Sequence, residues 1–460
     1  MKGLLYIFKI SGVFFITFSS FSCKKYLDAK PDAKLVVPNN VQDLQKILDY
    51  YPYMNTQCTQ ADEIASDNYY IKDNDYLALS ADRMRSAYIW GSGIFTGMSP
   101  SDWQREYNVI YYANIVLENI GNITREATNS ADWDNCMGQA LVFRSKSFLE
   151  IVQTWAKAYD STTETTDQGI PLRLTSNFNI PSVRASLKES YNQIISDLNK
   201  SIPLLPNHPL FIYRPSKPAA YGLLARTYLS MRKYNEAKKY ADSCLQISGT
   251  LYDYNNLNYL GNTYPFSPLE FSNPEDILHS VCYSSNFNIK KAYGRIDTTL
   301  YKSYADNDLR KVVFFKNNGD NTYYFTGSYD GNSSSLNYNG IATDEMYLII
   351  AECLARTGDT NGAMDKLNSL LVNRWKTGTF IPFIAGSSSD ALNQILVERR
   401  KELIYRELRF IDIKRLNKEG ANITLKRIIK GQLYTLPPND PRYALPIPDN
   451  VIQSTAIQQN

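Results

Sequence analysis

A mainly α-helical, all-α fold is predicted by three observations on this chain of 460 residues. Apolar residues recur three and four apart through most of its length, the spacing of one helix face. Two segments in the second half repeat one another at the spacing of tetratricopeptide (TPR) helix pairs. Between them, residues 250–340 abandon that pattern for Asn, Ser, Gly and Tyr. The expected architecture is a scaffold of TPR-type pairs bearing a long, loop-rich insertion with short strands.

In chain order, Lys2 and Lys9 precede an apolar run over 10–18, and Ser22 stands before Cys23. Residues 1–22 read as a lipoprotein signal peptide, with the Cys23 thiol as the lipidation site; an ordinary secreted chain cut nearby is the alternative. No later stretch approaches the roughly 20 apolar residues of a spanning helix. Residues 23–40, rich in Lys, Asp and Pro, read as a tether, and 41–460 as a single domain. Leu44, Ile47, Leu48 and Tyr51 start the helical pattern behind Asn39 and Asn40. Trp103, Tyr107, Ile110, Tyr111 and Asn114 share one helix face; Cys136, Ala140, Phe143, Phe148, Ile151 and Trp155 share the next. These predict an early, degenerate pair near 101–157. Ser186 with Glu189 is a capping box, opening a helix that Pro203 and Pro206 close.

The repeat itself has identical offsets in both copies. Tyr221, Leu224, Ala225 and Tyr228 precede Ala237, Ala241 and Cys244; Tyr347, Ile350, Ala351 and Leu354 precede Ala363, Leu367 and Leu370. Small residues there let paired helices approach, and each pair must bury its open face on a neighbour. The predicted pairs lie near 217–248 and 344–374. The polar segment near 250–340 reads as loops and short strands that carry the binding function on this scaffold.

The 49 basic and 46 acidic residues nearly cancel, which gives no electrostatic ground for a nucleic-acid partner. Of the cysteines after Cys23, Cys136, Cys244 and Cys353 fall on apolar helix faces and read as core residues. Their odd number and wide spacing argue against a full disulfide framework. With two histidines, His208 and His279, and no Cys-x-x-Cys pair, a His/Cys metal site has no support. No phosphate-binding loop, dinucleotide fingerprint or nucleophile elbow is present. No cofactor is expected; oxygen ligands for Ca²⁺ at Asp306, Asp308 and Asp320 are equally explained as turn residues. The run Glu398, Arg399, Arg400, Glu402, Arg406, Glu407, Arg409 balances its charges and reads as a salt-bridged helix locking the C-terminal tail.

The order of several motifs resembles the SusD/RagB family of nutrient-binding outer-membrane lipoproteins of Bacteroidota. They are the leader through Cys23 and residues 24–28, the stretch 62–68, the helix from Trp103 to Asn114, and Gly169-Ile-Pro-Leu172. The capped helix over 186–206 follows, then 344–358, Leu367 and Asn368 with Asn373 and Arg374, 398–403, 409–415 and Leu445-Pro-Ile-Pro448. The resemblance implies a SusD-like helical fold and an outer-membrane location through the lipid, facing the cell exterior; Lys24 and Lys25 follow the cysteine where surface-displayed lipoproteins of these bacteria often carry acidic residues. It implies a glycan ligand and a SusC-like TonB-dependent barrel as partner, with no enzymatic activity. A peptide-binding member of the family and a secreted glycoside hydrolase, which needs two juxtaposed carboxylates, are the alternatives.

The family's ligand contacts vary with cargo, so binding residues are argued from chemistry. Sugars offer C–H faces that stack on rings and hydroxyls that bond to polar side chains. Tyr is abundant, at 35 residues. The candidates are Asp67, Asn68, Tyr69, Tyr70, Arg83, Trp90, Tyr283, Asn286, Phe287, Tyr324 and Tyr329. Trp90, before the loop-like Gly91-Ser-Gly93, leads as the stacking platform; a buried core plug is its other reading, and Asp67 and Asn68 are also natural turn caps.

Overall fold

The computed structural model describes residues 38–266, 273–283, 293–332 and 336–460, and Val41–Asn460 form one compact unit. The leader, Cys23 and most of the tether lie outside the described residues. Helix α1 (Val41–Leu48) turns Val41, Leu44 and Leu48 inward. A short helix α2 (Ala61–Ala65), strand β1 (Tyr69–Ile71) and helix α3 (Asp82–Tyr88) follow. The long pair α4 (Asp102–Ile120) and α5 (Ser130–Trp155) buries Val109, Ala113 and Val116 against Cys136, Ala140 and Phe143, with α1 closing the same core. Helix α4 starts on a capping box that the sequence reading missed: Gln104 N–H donates to Ser101 Oγ, and Ser101 N–H donates back to Gln104 Oε1 at 2.8 Å. The signature Ser-x-x-Gln was in plain view.

Strands β2 (Gln168–Pro171) and β3 (Arg184–Ser186) pair and lead into α6 (Leu187–Ser201), which opens on the expected Ser186–Glu189 box. The TPR pairs are α7 (Lys217–Ser230) with α8 (Tyr234–Ile247) and, beyond the insertion, α9 (Thr343–Arg356) with α10 (Thr360–Leu371). Ala225, Ala237, Ala241 and Cys244 are fully buried in the first, and Ala351, Ala363, Leu367 and Leu370 in the second. Helix α8 packs on α9, so the insertion leaves the helical stack between two adjacent elements and returns to it. The scaffold is therefore continuous across the 90 or so residues looped out of it.

The insertion is held by short antiparallel ladders. Strand β4 (Asp276–Leu278) pairs with β10 (Ile341–Ala342), β5 (Val281–Tyr283) with β9 (Leu336–Tyr338), and β7 (Phe315–Asn317) with β8 (Tyr323–Phe325). Strand β6 (Gly294–Ile296) reaches back to β1, joining the insertion to the N-terminal region. A second core of Tyr254, Phe266, Tyr304, Phe314, Phe315, Tyr329 and Tyr338 lies beneath. Much of the chain's Tyr is thus structural, as its intermediate burial tendency allows.

One expectation needs correcting. The charged run is not a single helix locking the tail. Helix α11 (Ser388–Glu402) ends, the chain turns through Tyr405 and Glu407 at φ 58° and 59°, and α12 (Arg409–Asn417) begins. Its charges face inward and bind the insertion and the scaffold. Arg310 is gripped by Asp308 and by Glu398 and Glu402. Arg374 bridges Glu402 at 2.6 Å and Glu275 at 2.7 Å. Arg406 is bidentate on Asp344, at 3.0 and 2.7 Å. Buried bidentate pairs of this kind fix geometry more than they add net stability. Cys136, Cys244 and Cys353 are buried free thiols as expected, but Cys58 and Cys282 form a disulfide that spacing alone did not disclose.

Beneath α2 lies a set of acids that no surface reading would find. Burial pushes the carboxyls of Asp62 and Asp102 up to about 6 and that of Glu63 up to about 7. Glu106 and Glu407 are raised well above the ordinary range, burial first and neighbouring carboxylates second. Such groups hold protons in the folded chain that the unfolded chain has released, so their contribution is full near pH 4 and is lost as pH rises through 6 and 7. Against burial, guanidinium partners hold Asp308, Glu352 and Asp412 below their usual range; that stability is lost as pH falls below about 4. The unfolding free energy from urea titrations is expected to be highest near pH 5 and to fall toward pH 8, by about 1–3 kcal/mol in total. A free energy that climbs steadily from pH 5 to 8 would overturn this account.

Candidate functional site

The stretch following α2 is anchored rather than presented. Arg409 holds Asp67 through two bonds of 2.7 and 2.9 Å, and Arg400 lies 3.3 Å away. Although burial raises it, the Asp67 carboxyl is kept well below the usual range by those two guanidinium groups. Asn68 is fully buried and donates to Glu63 at 2.7 Å; Tyr69 is buried, its hydroxyl on the Ile64 carbonyl. Tyr329 is interior too, bonded to Glu275 and Asp344, and Tyr324 is buried on β8. These side chains brace the insertion and offer no ring face to a surface ligand. Arg83 is half-buried on α3. Tyr283 lies on β5, paired with Leu336. Asn286 and Phe287 fall outside the described residues.

Trp90 combines both of its readings. It sits at φ 55° and is only 4 % exposed, with its indole N–H on the Ala65 carbonyl and the Arg427 guanidinium 5.3 Å from its ring. What remains of it lines an apolar cleft of about 400 Å³ with Ala61, Ala87, Ile94, Pro441 and Leu445. A fixed ring in a mostly apolar cleft can pack a ligand but offers few hydroxyl partners.

Of the predicted residues, Tyr70 is half-buried on β1 and paired across the ladder with Arg295 of β6. On β1, Tyr69 and Ile71 turn to the core, so Tyr70 faces away from it; Arg295 lies directly opposite on β6 with the same alternation. Arg295 pairs with Asp75 at 3.2 Å, and Lys72, just past β1, meets Asp320 of the β7–β8 turn at 2.6 Å. Strand β8 lies beside β6. There Tyr323 stacks on Tyr301 with ring centroids 3.6 Å apart and planes 15° from parallel, and the Lys311 ammonium stands 5.6 Å from the Tyr301 ring. Both tyrosines are half-buried. Tyr301 was not anticipated; the Asp297 N-cap of the short helix Thr298–Lys302, which carries it, was the available signal. The face offers rings for sugar stacking beside both signs of charge for hydroxyl groups.

Catalytic chemistry finds less support. His279 Nδ1 lies 2.5 Å from Asp276, the base-and-orienter half of a triad, yet its Nε2 is buried without a hydrogen-bond partner. Among the described residues no cluster of three His, Cys, Asp or Glu is arranged to hold a metal. The suggested Ca²⁺ ligands have cationic partners: Asp306 meets Lys311, Asp308 meets Arg310 and Lys401, and Asp320 meets Lys72. No described helix is long and apolar enough to cross a membrane.

Comparison with known proteins bears on the whole unit. A family model described as "Starch-binding associating with outer membrane" matches residues 25–229, and a SusD family model matches 290–460. No curated protein matches the chain. Among solved structures, a candidate sugar-binding protein of Bacteroides vulgatus superposes with a TM-score of 0.74 at 21 % identity, over 92 % of this chain and 99 % of its own. A SusD superfamily protein of Bacteroides thetaiotaomicron gives 0.71 at 19 %, over 93 % and 99 %. A SusD-like carbohydrate-binding protein of Bacteroides vulgatus gives 0.66 at 21 %, over 91 % and 97 %. At these identities the likeness carries the fold, and the two matched segments carry the lineage. With TPR pairs, insertion and charged C-terminal motif in the family's order, the chain belongs to the SusD/RagB family of outer-membrane-associated, carbohydrate-binding proteins.

Proposed function

We propose that this protein is a lipid-anchored, cell-surface binder that captures oligosaccharide or polysaccharide and delivers it to a SusC-like TonB-dependent barrel, without breaking a bond itself. The observation that carries the reading is the half-buried Tyr301–Tyr323 stack at β8, next to the β1–β6 ladder on which Tyr70 and Arg295 face away from the core. A rigid platform limits the ordering cost of binding. The hydrolase alternative is disfavoured because the neighbouring carboxylates Glu63 and Glu407, and likewise Glu106, sit in the core and line no described cleft.

Affinity purification of C-terminally tagged protein from detergent-solubilised outer membranes tests the partner. Stoichiometric recovery of a TonB-dependent barrel is expected; repeated recovery of the protein alone in mild detergent would remove the delivery role. The face is tested by Tyr301→Ala, which opens one side of the Tyr323 stack. Glycan affinity is expected to fall about 3–10-fold, the equivalent of about 0.7–1.4 kcal/mol, measured well below the thermal midpoint, which the lost packing on the second core lowers. Unaltered affinity would move the binding face elsewhere.

A further inference from the structure

A cleft of about 640 Å³ opens where residues 207–216 cross the start of α7, and none of its lining residues belongs to the tyrosine face. At the helix start stands Ser216. It occupies the N-cap position of a helix of 14 residues, yet its side chain makes no capping bond. A serine at this position ordinarily accepts from a backbone N–H one turn on. Here the hydroxyl is fully buried, has no hydrogen-bond partner and lines the cleft. A buried hydroxyl left unmatched is destabilising, so its place at the wall of a cavity calls for a ligand that completes it.

The opposite chemistry is supplied by Asp276, which also lines the cleft. Its carboxylate is fixed by the Tyr338 hydroxyl at 2.7 Å and by His279 Nδ1 at 2.5 Å, one partner on each oxygen. Its charge disfavours an anionic occupant. Phe211 adds a ring that is 45 % exposed. That ring is stacked on Tyr213, with planes 2° from parallel and centroids 5.3 Å apart, and has the Arg214 guanidinium 5.1 Å from its centre. Arg214 is itself clamped on Asp49 through bonds of 2.7 and 2.6 Å, so the platform is preorganised.

We infer that this cleft is a second carbohydrate subsite, which takes a neutral sugar unit with its C–H face on Phe211 and a hydroxyl on Ser216 Oγ. The inference rests on the glycan-binding function proposed for the chain. An aromatic platform beside a carboxylate and an unsatisfied hydroxyl suits a polyol better than an apolar chain or an acid.

The test is affinity electrophoresis of the full-length mature protein in gels containing soluble starch, xylan, galactomannan or yeast mannan. Wild type is run beside Phe211→Ala, Ser216→Ala and Tyr301→Ala. The polysaccharide that retards wild type is expected to retard Phe211→Ala and Ser216→Ala less, with the apparent dissociation constant raised about 3–10-fold. The thermal midpoint of Ser216→Ala is expected to stay level or rise, because an unmatched hydroxyl is removed. If both cleft variants run like wild type while Tyr301→Ala is weakened, the second subsite is overturned and glycan binding stands. A lowered midpoint for Ser216→Ala with unchanged retardation makes the hydroxyl structural and overturns the subsite equally. If no gel retards wild type, both readings fall together.

Discussion

Arg374→Leu is expected to cost the fold about 3–5 kcal/mol, the loss seen when one partner of a buried ion pair is removed. Arg374 is fully buried, with Glu402 on its Nε, Glu275 on one terminal nitrogen and the Tyr252 carbonyl on the other. Its guanidinium also lies 4.0 Å from the centre of the Tyr254 ring. Leucine fills part of the volume and leaves Glu275 without a cation, while Glu402 keeps only Arg310. Burial already pushes Glu275 up to about 7 even with Arg374 beside it. Without the arginine that carboxyl titrates higher still, so the penalty should be smaller at pH 5, where a proton can take the cation's place, than at pH 8. Adding Glu402→Gln to Arg374→Leu should recover part of the loss, since the two sites share a network and their effects are not additive. Urea midpoints with constant slope would measure this. A cost under about 1 kcal/mol, independent of pH, would mean that water reaches the pair.

That arginine also shows where the sequence was readable and where it was not. Helical spacing located α1, α4, α5, α6 and both TPR pairs, because each buries one stripe against neighbours close in sequence. The Ser186–Glu189 box was legible for the same reason: it is a contract among four consecutive residues. The insertion was legible by its composition, since few apolar runs are left there for a helix. Pairings across the chain were not. Arg374 and Glu275 stand 99 positions apart, and Asp67 and Arg409 stand 342 apart; nothing local distinguishes such residues from charges on a solvated face. Mixed charge in the 398–409 run therefore suggested one salt-bridged helix locking the tail, whereas the fold breaks it in two and pairs its charges with the insertion and the scaffold. The site was legible only in part. Asp67, Asn68, Tyr69 and Tyr329 have the right chemistry for sugar binding and are consumed by internal bonds. Tyr70 is left facing away from the core by strand alternation, and Tyr301 meets Tyr323 of β8 from a short helix whose position only the folded chain defines.

Removing the Cys58–Cys282 bond with a double serine variant is expected to lower stability by up to about 4–5 kcal/mol while leaving the glycan-binding face intact. The bonded residues are 224 positions apart, and the loop-entropy cost that a cross-link removes from the unfolded chain grows with the logarithm of that separation. The folded state has other ties at the same place. Val281 N–H donates to the Asn55 carbonyl at 2.9 Å, the Ser280 hydroxyl donates to it at 3.0 Å, and Gln60 donates to the Cys282 carbonyl at 3.0 Å. Those bonds hold β5 against the segment before α2 without the sulfurs. The loss should therefore appear mainly as faster and easier unfolding, with circular dichroism and glycan affinity preserved under native conditions. An exterior location is where such a bond persists. Peptide mapping of the denatured, unreduced chain after maleimide treatment gives the decisive control: label on Cys58 or Cys282 would show that the bond is absent. If the bond is present and the variant unfolds at the wild-type midpoint, the unfolded chain must already be compact enough to keep the two segments together, and the hydrogen bonds alone are sufficient to fasten the insertion to the N-terminal region.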